Sequence, residues 1–145
     1  MKDNIYKIMD IFNKTDNFNY EQMQKEYCRL FTLPIDHFLD NLNSIISSLE
    51  INGFGMSLLM QNHIHSILLE VKQILSTLSI NKAVTSNKQL IRNDPANLLL
   101  HLNTLSQQLN QHSLKSPFYL LLNKANNLIL NCTNKILKYY LKINK

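Results

Sequence analysis

The chain has 145 residues, of which 45% are hydrophobic, and carries a formal net charge of +5. This length is most simply one domain, and it is enough to bury a hydrophobic core without disulfides or a structural metal. Only two residues are glycine. This argues against β-sandwiches and β-barrels, which need many glycine-containing turns, and against a glycine-rich loop that binds phosphate.

Three helices are predicted in the first third of the chain, at about 3–14, 19–32 and 35–51. In the first, apolar residues recur at spacings of three and four from Ile5 to Phe12, as is typical of an amphipathic helix. Pro34 separates the second helix from the third. The third ends at the segment Asn52-Gly53-Phe54-Gly55, which holds both glycines and indicates a break.

Three longer helices are predicted at about 56–78, 95–111 and 117–142. Asp94-Pro95 and Ser116-Pro117 each place a capping residue before a proline, a combination that favours a helix start. The polar, irregular residues 79–93 predict an exposed loop. Because no strand pattern competes, we expect an all-α fold over residues 1–145, a single-domain bundle of five to six mostly antiparallel helices.

The last predicted helix is apolar on two sides. At about 100° per residue its lysines fall within a band roughly 80° wide, opposite the core stripe. A second row of apolar residues lies between the lysines and the core. A helix of this kind is either central in its bundle or contacts another chain, and both remain open. The candidate interaction residues are Lys124, Lys135, Lys138, Lys142, Leu130, Leu137 and Leu141.

Charge is segregated along the chain. Residues 1–50 hold eight acids and five bases, whereas six lysines and no acid follow Asp94. We therefore expect the basic C-terminal part to contact either the acidic N-terminal half of its own chain or a partner with an acidic or amphipathic surface. Nucleic acid is a weaker candidate, because phosphate contacts usually involve many Lys and Arg side chains, and only two arginines are present.

The stretch His-Ser-Leu-Lys-Ser-Pro-Phe at 112–118 resembles the H-box of sensor histidine kinases. In that motif a His precedes an acidic or polar residue, Leu, a base, Ser or Thr, Pro and an apolar residue. The resemblance implies phosphoryl transfer to His112, with Lys115 near the phosphate. It covers seven residues, and Ser113 stands where the kinases usually have an acid. The alternative interpretation makes residues 110–115 an interhelix loop.

No pattern predicts a cofactor or a metal. Cys28 and Cys132 are isolated, without a CxxC pair, and are expected to be reduced buried thiols. His63 and His65 are two residues apart and therefore point to different sides of a helix. His101 lies between leucines and is expected to pack. Neither a signal peptide nor an apolar run of membrane-spanning length is evident.

These observations favour a non-catalytic cytoplasmic interaction protein, such as a regulator, adaptor or chaperone-like factor. It would bind a protein partner, or itself as a homodimer, through the C-terminal helix. Two alternatives remain. One is a histidine phosphotransfer-like domain that uses His112, and the other is a nucleic-acid-binding regulator that uses the C-terminal lysine band.

Overall fold

A computed structural model of the chain describes residues 35–79 and 89–143. Within these ranges the chain forms helices and no strand, so the all-α prediction is confirmed for them. The helices are α1 (Ile35–Asn52), α2 (Leu58–Leu78), α3 (Pro95–Ser113) and α4 (Tyr119–Ile143). Each lies within two residues of a predicted helix at both ends. The helices predicted at 3–14 and 19–32 fall outside the described residues, so a bundle of five to six helices remains a prediction.

The predicted break between the third and fourth helices is a short 3₁₀ turn, Gly53–Gly55. All three of its residues have positive φ, at 67° for Gly53, 53° for Phe54 and 73° for Gly55. The side chain of Asn52 accepts a hydrogen bond from the backbone N–H of Phe54 at 3.0 Å. Phe54 is buried in the core, and this burial compensates for a conformation that non-glycine residues rarely adopt.

Each helix contacts two others: α1 packs on α2 and α3, and α4 packs on the same two helices. Phe38, near the start of α1, contacts the ring of His112 at the end of α3. Similarly, the backbone N–H of Ser57, which precedes α2, donates to the hydroxyl of Tyr139 near the end of α4 at 2.8 Å. These contacts make α1 antiparallel to α3, and α2 antiparallel to α4.

The connection between α2 and α3 begins at one end of α1 and finishes near the other. Ser79 donates to the carboxylate of Asp36 at 2.5 Å, beside the first turn of α1. Further along the chain, the backbone N–H of Ile91 donates to Ser48, in the last two turns of α1, at 2.6 Å. Ser79 and Ile91 are buried, so the described ends of the predicted exposed loop are partly enclosed against α1.

The two predicted capping residues both accept hydrogen bonds from helix-start amides. Asp94 accepts from the N–H of Ala96 at 2.9 Å, and Pro95 is the first residue of α3, as its position predicts. Ser116 accepts from the N–H of Phe118 at 2.9 Å. The regular α4 helix then begins two residues later than predicted, at Tyr119, because residues 117 and 118 form a turn.

Apolar residues of α1 to α4 meet in one hydrophobic core. Cys132 lies in this core with a free thiol, and its burial raises the pKa of that thiol to about 12, against a smaller lowering by Lys135. The prediction of a buried thiol is therefore confirmed for Cys132, while Cys28 lies outside the described residues. No described helix combines the length and apolar character that crossing a membrane requires.

Candidate interaction surface

The C-terminal helix α4 buries one side against α2 and α3. Its buried residues recur at spacings of three and four, and they are Leu122, Ala125, Asn126, Ile129, Cys132 and Ile136. The side chain of Asn126 accepts a buried hydrogen bond from Ser106 of α3 at 2.6 Å. This bond satisfies the only polar side chain among the buried residues of α4, so the inner side of the helix is fully used within the fold.

The end of α4 is attached to the α1–α2 turn by two tyrosine hydroxyls. Tyr139 accepts from the N–H of Ser57, and Tyr140 donates to the backbone carbonyl of Phe54. The rings of the two tyrosines meet edge to face with centroids 5.5 Å apart. Burial raises the pKa of Tyr140, with a further smaller contribution from Tyr139. Its hydroxyl therefore stays protonated and able to donate at neutral pH.

The second apolar row of α4 is exposed. Leu130, Leu137 and Leu141, which we call the leucine ridge, have exposed fractions of 43%, 42% and 66%. Packing among the described helices therefore leaves this ridge partly exposed. Because exposed leucines are unfavourable in water, a continuous row on one helix is a candidate contact surface.

One lysine of the predicted band contacts its own chain. Lys135 is half-buried, and its ammonium donates to Nε2 of His63 on α2 at 2.5 Å. Lys135 therefore contacts its own chain, whereas Lys124, Lys138 and Lys142 are exposed.

None of the described acids pairs with a lysine of α4. Asp36 accepts from Ser79, and the Glu50 carboxylate lies 2.7 Å from Nε2 of His65. Helices α1 and α4 are not among the packed pairs, so the three acids of α1 lie away from the α4 lysines. Within residues 35–79 and 89–143, the basic helix is thus not neutralised by the acidic part of the chain.

His112, the candidate phosphoacceptor, lies in the last turn of α3 rather than in a loop, because α3 continues to Ser113. Its ring is half-buried and packs against Phe38 with centroids 5.2 Å apart and an interplanar angle of 66°. Desolvation lowers the pKa of His112, and the nearby charge of Lys115 lowers it further. Both effects favour the neutral imidazole at pH 7.

A polar cleft of about 290 Å³ lies between α1, the segment before α3, and α3. Its lining residues are Asn41, Ser44, Gln89, Leu90, Ile91, Arg92, Asn97 and His101. His101 is exposed there, so the prediction that it packs between leucines is wrong; Leu102 is buried, whereas His101 is on the outer side of α3. No group of three potential metal-ligating side chains occurs among the described residues.

Comparisons of the chain with models of protein families, with curated proteins and with solved structures found no match.

Proposed function

We propose that this protein is a non-catalytic, cytoplasmic helical interaction module that binds a protein partner, or a second copy of itself, through α4. It would serve as a regulator, adaptor or chaperone-like factor. The leucine ridge is the observation that supports the proposal. Leu130, Leu137 and Leu141 are exposed on a helix whose other side is already packed on α2 and α3. Covering them with a partner would remove apolar surface from water, which is the main driving force of most protein association.

Unpaired charge beside the ridge supports a protein partner with an acidic surface. Lys124, Lys138 and Lys142 are exposed on the same helix, and none of them has a carboxylate partner among the described residues. Positive groups at the rim of an apolar contact select partners of opposite charge and accelerate their association. The combination favours a specific partner over general adhesion.

The experiment compares partner capture by three forms of the full chain in extracts of its native cells. They are the wild type, Leu130→Glu with Leu137→Glu, and a matched control, Leu58→Glu with Leu69→Glu. The control adds the same charge at exposed leucines of α2, and Leu69 has the same exposed fraction as Leu130, 43%. We expect the wild type and the control to retain a common bound protein that the ridge variant loses. Equal retention by the ridge variant would contradict the proposal.

A second candidate function is histidine phosphotransfer at His112. The lowered pKa of His112 supports it, because a neutral imidazole has the free lone pair that attack on a phosphoryl donor requires. Incubation of the chain with a phosphorylated receiver domain tests this function. Acid-labile phosphate that is present in the wild type and missing from His112→Gln would support it, and an unlabelled wild type would remove it.

A further inference from the structure

On the outward side of α4, exposed Leu and Asn side chains at 3-4 spacing continue from the leucine ridge towards the start of the helix; four of these seven residues are Leu and three are Asn. Successive positions are separated by three, four, three, four, three and four residues. All seven side chains are exposed. We call this row the α4 seam, and its residues are Leu120, Asn123, Asn127, Leu130, Asn134, Leu137 and Leu141.

Apolar residues at 3-4 spacing are the pattern with which one helix packs along another in a coiled coil, and the leucines at 120, 130, 137 and 141 fall on this spacing. The seam is distinct from the core stripe of α4, since none of its seven residues is buried against α2 or α3. Leu120, Asn127, Asn134 and Leu141 occupy the a positions, and Asn123, Leu130 and Leu137 the d positions. Asn at a positions lowers the stability of a coiled coil but fixes its register and partner.

The charges beside the seam discriminate between a second copy of the chain and a different partner. Lys124 and Lys138 directly follow d positions and thus occupy one flank. The other flank, at Tyr119, Asn126, Thr133 and Tyr140, borders the packed side of the helix and is uncharged; Asn126 is buried against α3. Helix α4 contains no acid. In an antiparallel pair with a second copy, the lysine flanks of the two helices would face each other. In a parallel pair, the lysine flank of each helix would face the uncharged flank of the other. Neither arrangement supplies a carboxylate.

We propose that the α4 seam binds an amphipathic partner helix whose flanking positions are acidic, rather than a second copy of this chain. The inference rests on the proposed function and adds the chemistry of the partner. Leucines of the two helices would interdigitate at positions 130, 137 and 141. Glu or Asp of the partner would pair with Lys124 and Lys138, and partner amides would meet the Asn side chains of the seam.

The test uses two synthetic helical peptides of about three heptads with identical Leu and Asn at a and d. One carries Glu at all flanking positions, and the other carries Lys. Fluorescence anisotropy with the full chain is expected to show binding of the Glu peptide and at least tenfold weaker binding of the Lys peptide. Salt should weaken the Glu complex, because exposed ion pairs are screened. Leu130→Glu with Leu137→Glu should abolish binding, whereas Leu58→Glu with Leu69→Glu should retain it.

Charge reversal provides the sharpest comparison. The variant Lys124→Glu with Lys138→Glu is expected to prefer the Lys peptide, because the leucines are unchanged and only the flanking charge is inverted. Equal affinity of the wild type for both peptides would overturn the inference, as would failure of the Glu peptide to bind. Dimerisation of the wild type that the ridge substitutions abolish would overturn it too, but would leave the proposed function standing. Partner capture that is unaffected by the ridge substitutions would instead refute the proposed function.

Discussion

At the scale of single residues, the α1–α2 turn explains where the chain uses its two glycines. Gly53 and Gly55 both have φ near +70°, a region in which a Cβ is unfavourable by about 1–2 kcal/mol. They differ in their surroundings. A Cβ on Gly53 would lie 2.4 Å from the side-chain nitrogen Nε2 of Gln61. By contrast, no atom lies within 4 Å of the position that a Cβ on Gly55 would take.

We therefore predict that Gly53→Ala destabilises the protein more than Gly55→Ala. The Gln61 side chain is flexible and would move away, but it would then lose its 2.8 Å hydrogen bond to the carbonyl of Met56. We expect Gly55→Ala to lower the free energy of unfolding by about 1–2 kcal/mol, and Gly53→Ala by about 1 kcal/mol more. Urea denaturation measures both variants. An equal or larger effect of Gly55→Ala would contradict this assignment.

A second residue-scale prediction concerns His112 and pH. The pKa of His112 is lower in the folded protein than its ordinary value of 6.5. Below pH 6.5, His112 is therefore protonated in a larger fraction of unfolded molecules than of folded ones. The stability that His112 contributes is therefore present above pH 6.5 and is lost as the pH falls through the lowered folded pKa. We expect the free energy of unfolding to fall less steeply in this range for His112→Gln than for the wild type. Identical slopes would contradict the prediction.

At the scale of elements, helix starts are fixed by local chemistry. The carboxylate of Asp94 accepts from the N–H of Ala96 and lies at the positive end of α3. We predict that Asp94→Ala lowers the free energy of unfolding by about 1 kcal/mol. Asp94→Asn keeps an acceptor and should cost less than half as much. Thermal unfolding followed by circular dichroism checks both variants. Equal losses of stability in the two variants would show that the side-chain hydrogen-bond acceptor at position 94 does not stabilise α3.

The same locality explains how much of the fold the sequence could predict. Caps and apolar spacing lie within a few residues of the element that they define, so the ends of α1 to α4 were predicted to within two residues. The Lys135–His63 and Tyr139–Ser57 contacts join residues 72 and 82 positions apart. No local pattern encodes such pairs. Helical spacing alone therefore grouped Lys135 with the other lysines of the band and did not predict its contact with His63 of α2.

The candidate surface was only partly predictable for a related reason. Helical spacing identified Leu130, Leu137 and Leu141 as a second apolar row, but it could not decide between internal packing and exposure. That decision depends on where α2 and α3 lie around α4, which is a property of the tertiary structure. The longer seam was missed because its Asn residues are polar, and Asn is abundant throughout the chain.

At the scale of the whole molecule, the segments on either side of the α2–α3 connection are held at opposite ends of α1. Ser79 bonds to Asp36 at one end, and the Ile91 N–H bonds to Ser48 near the other. The Ile91–Ser48 bond is buried, so no solvent can replace it. It fixes the segment that leads into α3, and with it the placement of α3 on α1.

We predict that Ser48→Ala lowers the free energy of unfolding by about 1–3 kcal/mol, because it leaves the buried N–H of Ile91 without an acceptor. The matched control is Ser47→Ala, one residue earlier and half-exposed, for which we expect a change within about 0.5 kcal/mol. Urea denaturation compares the two. Native-state hydrogen exchange adds a local measurement, since the amide of Ile91 should lose protection in Ser48→Ala and keep it in Ser47→Ala. Equal stability of the two variants with unchanged protection would show that this bond does not hold the connection on α1.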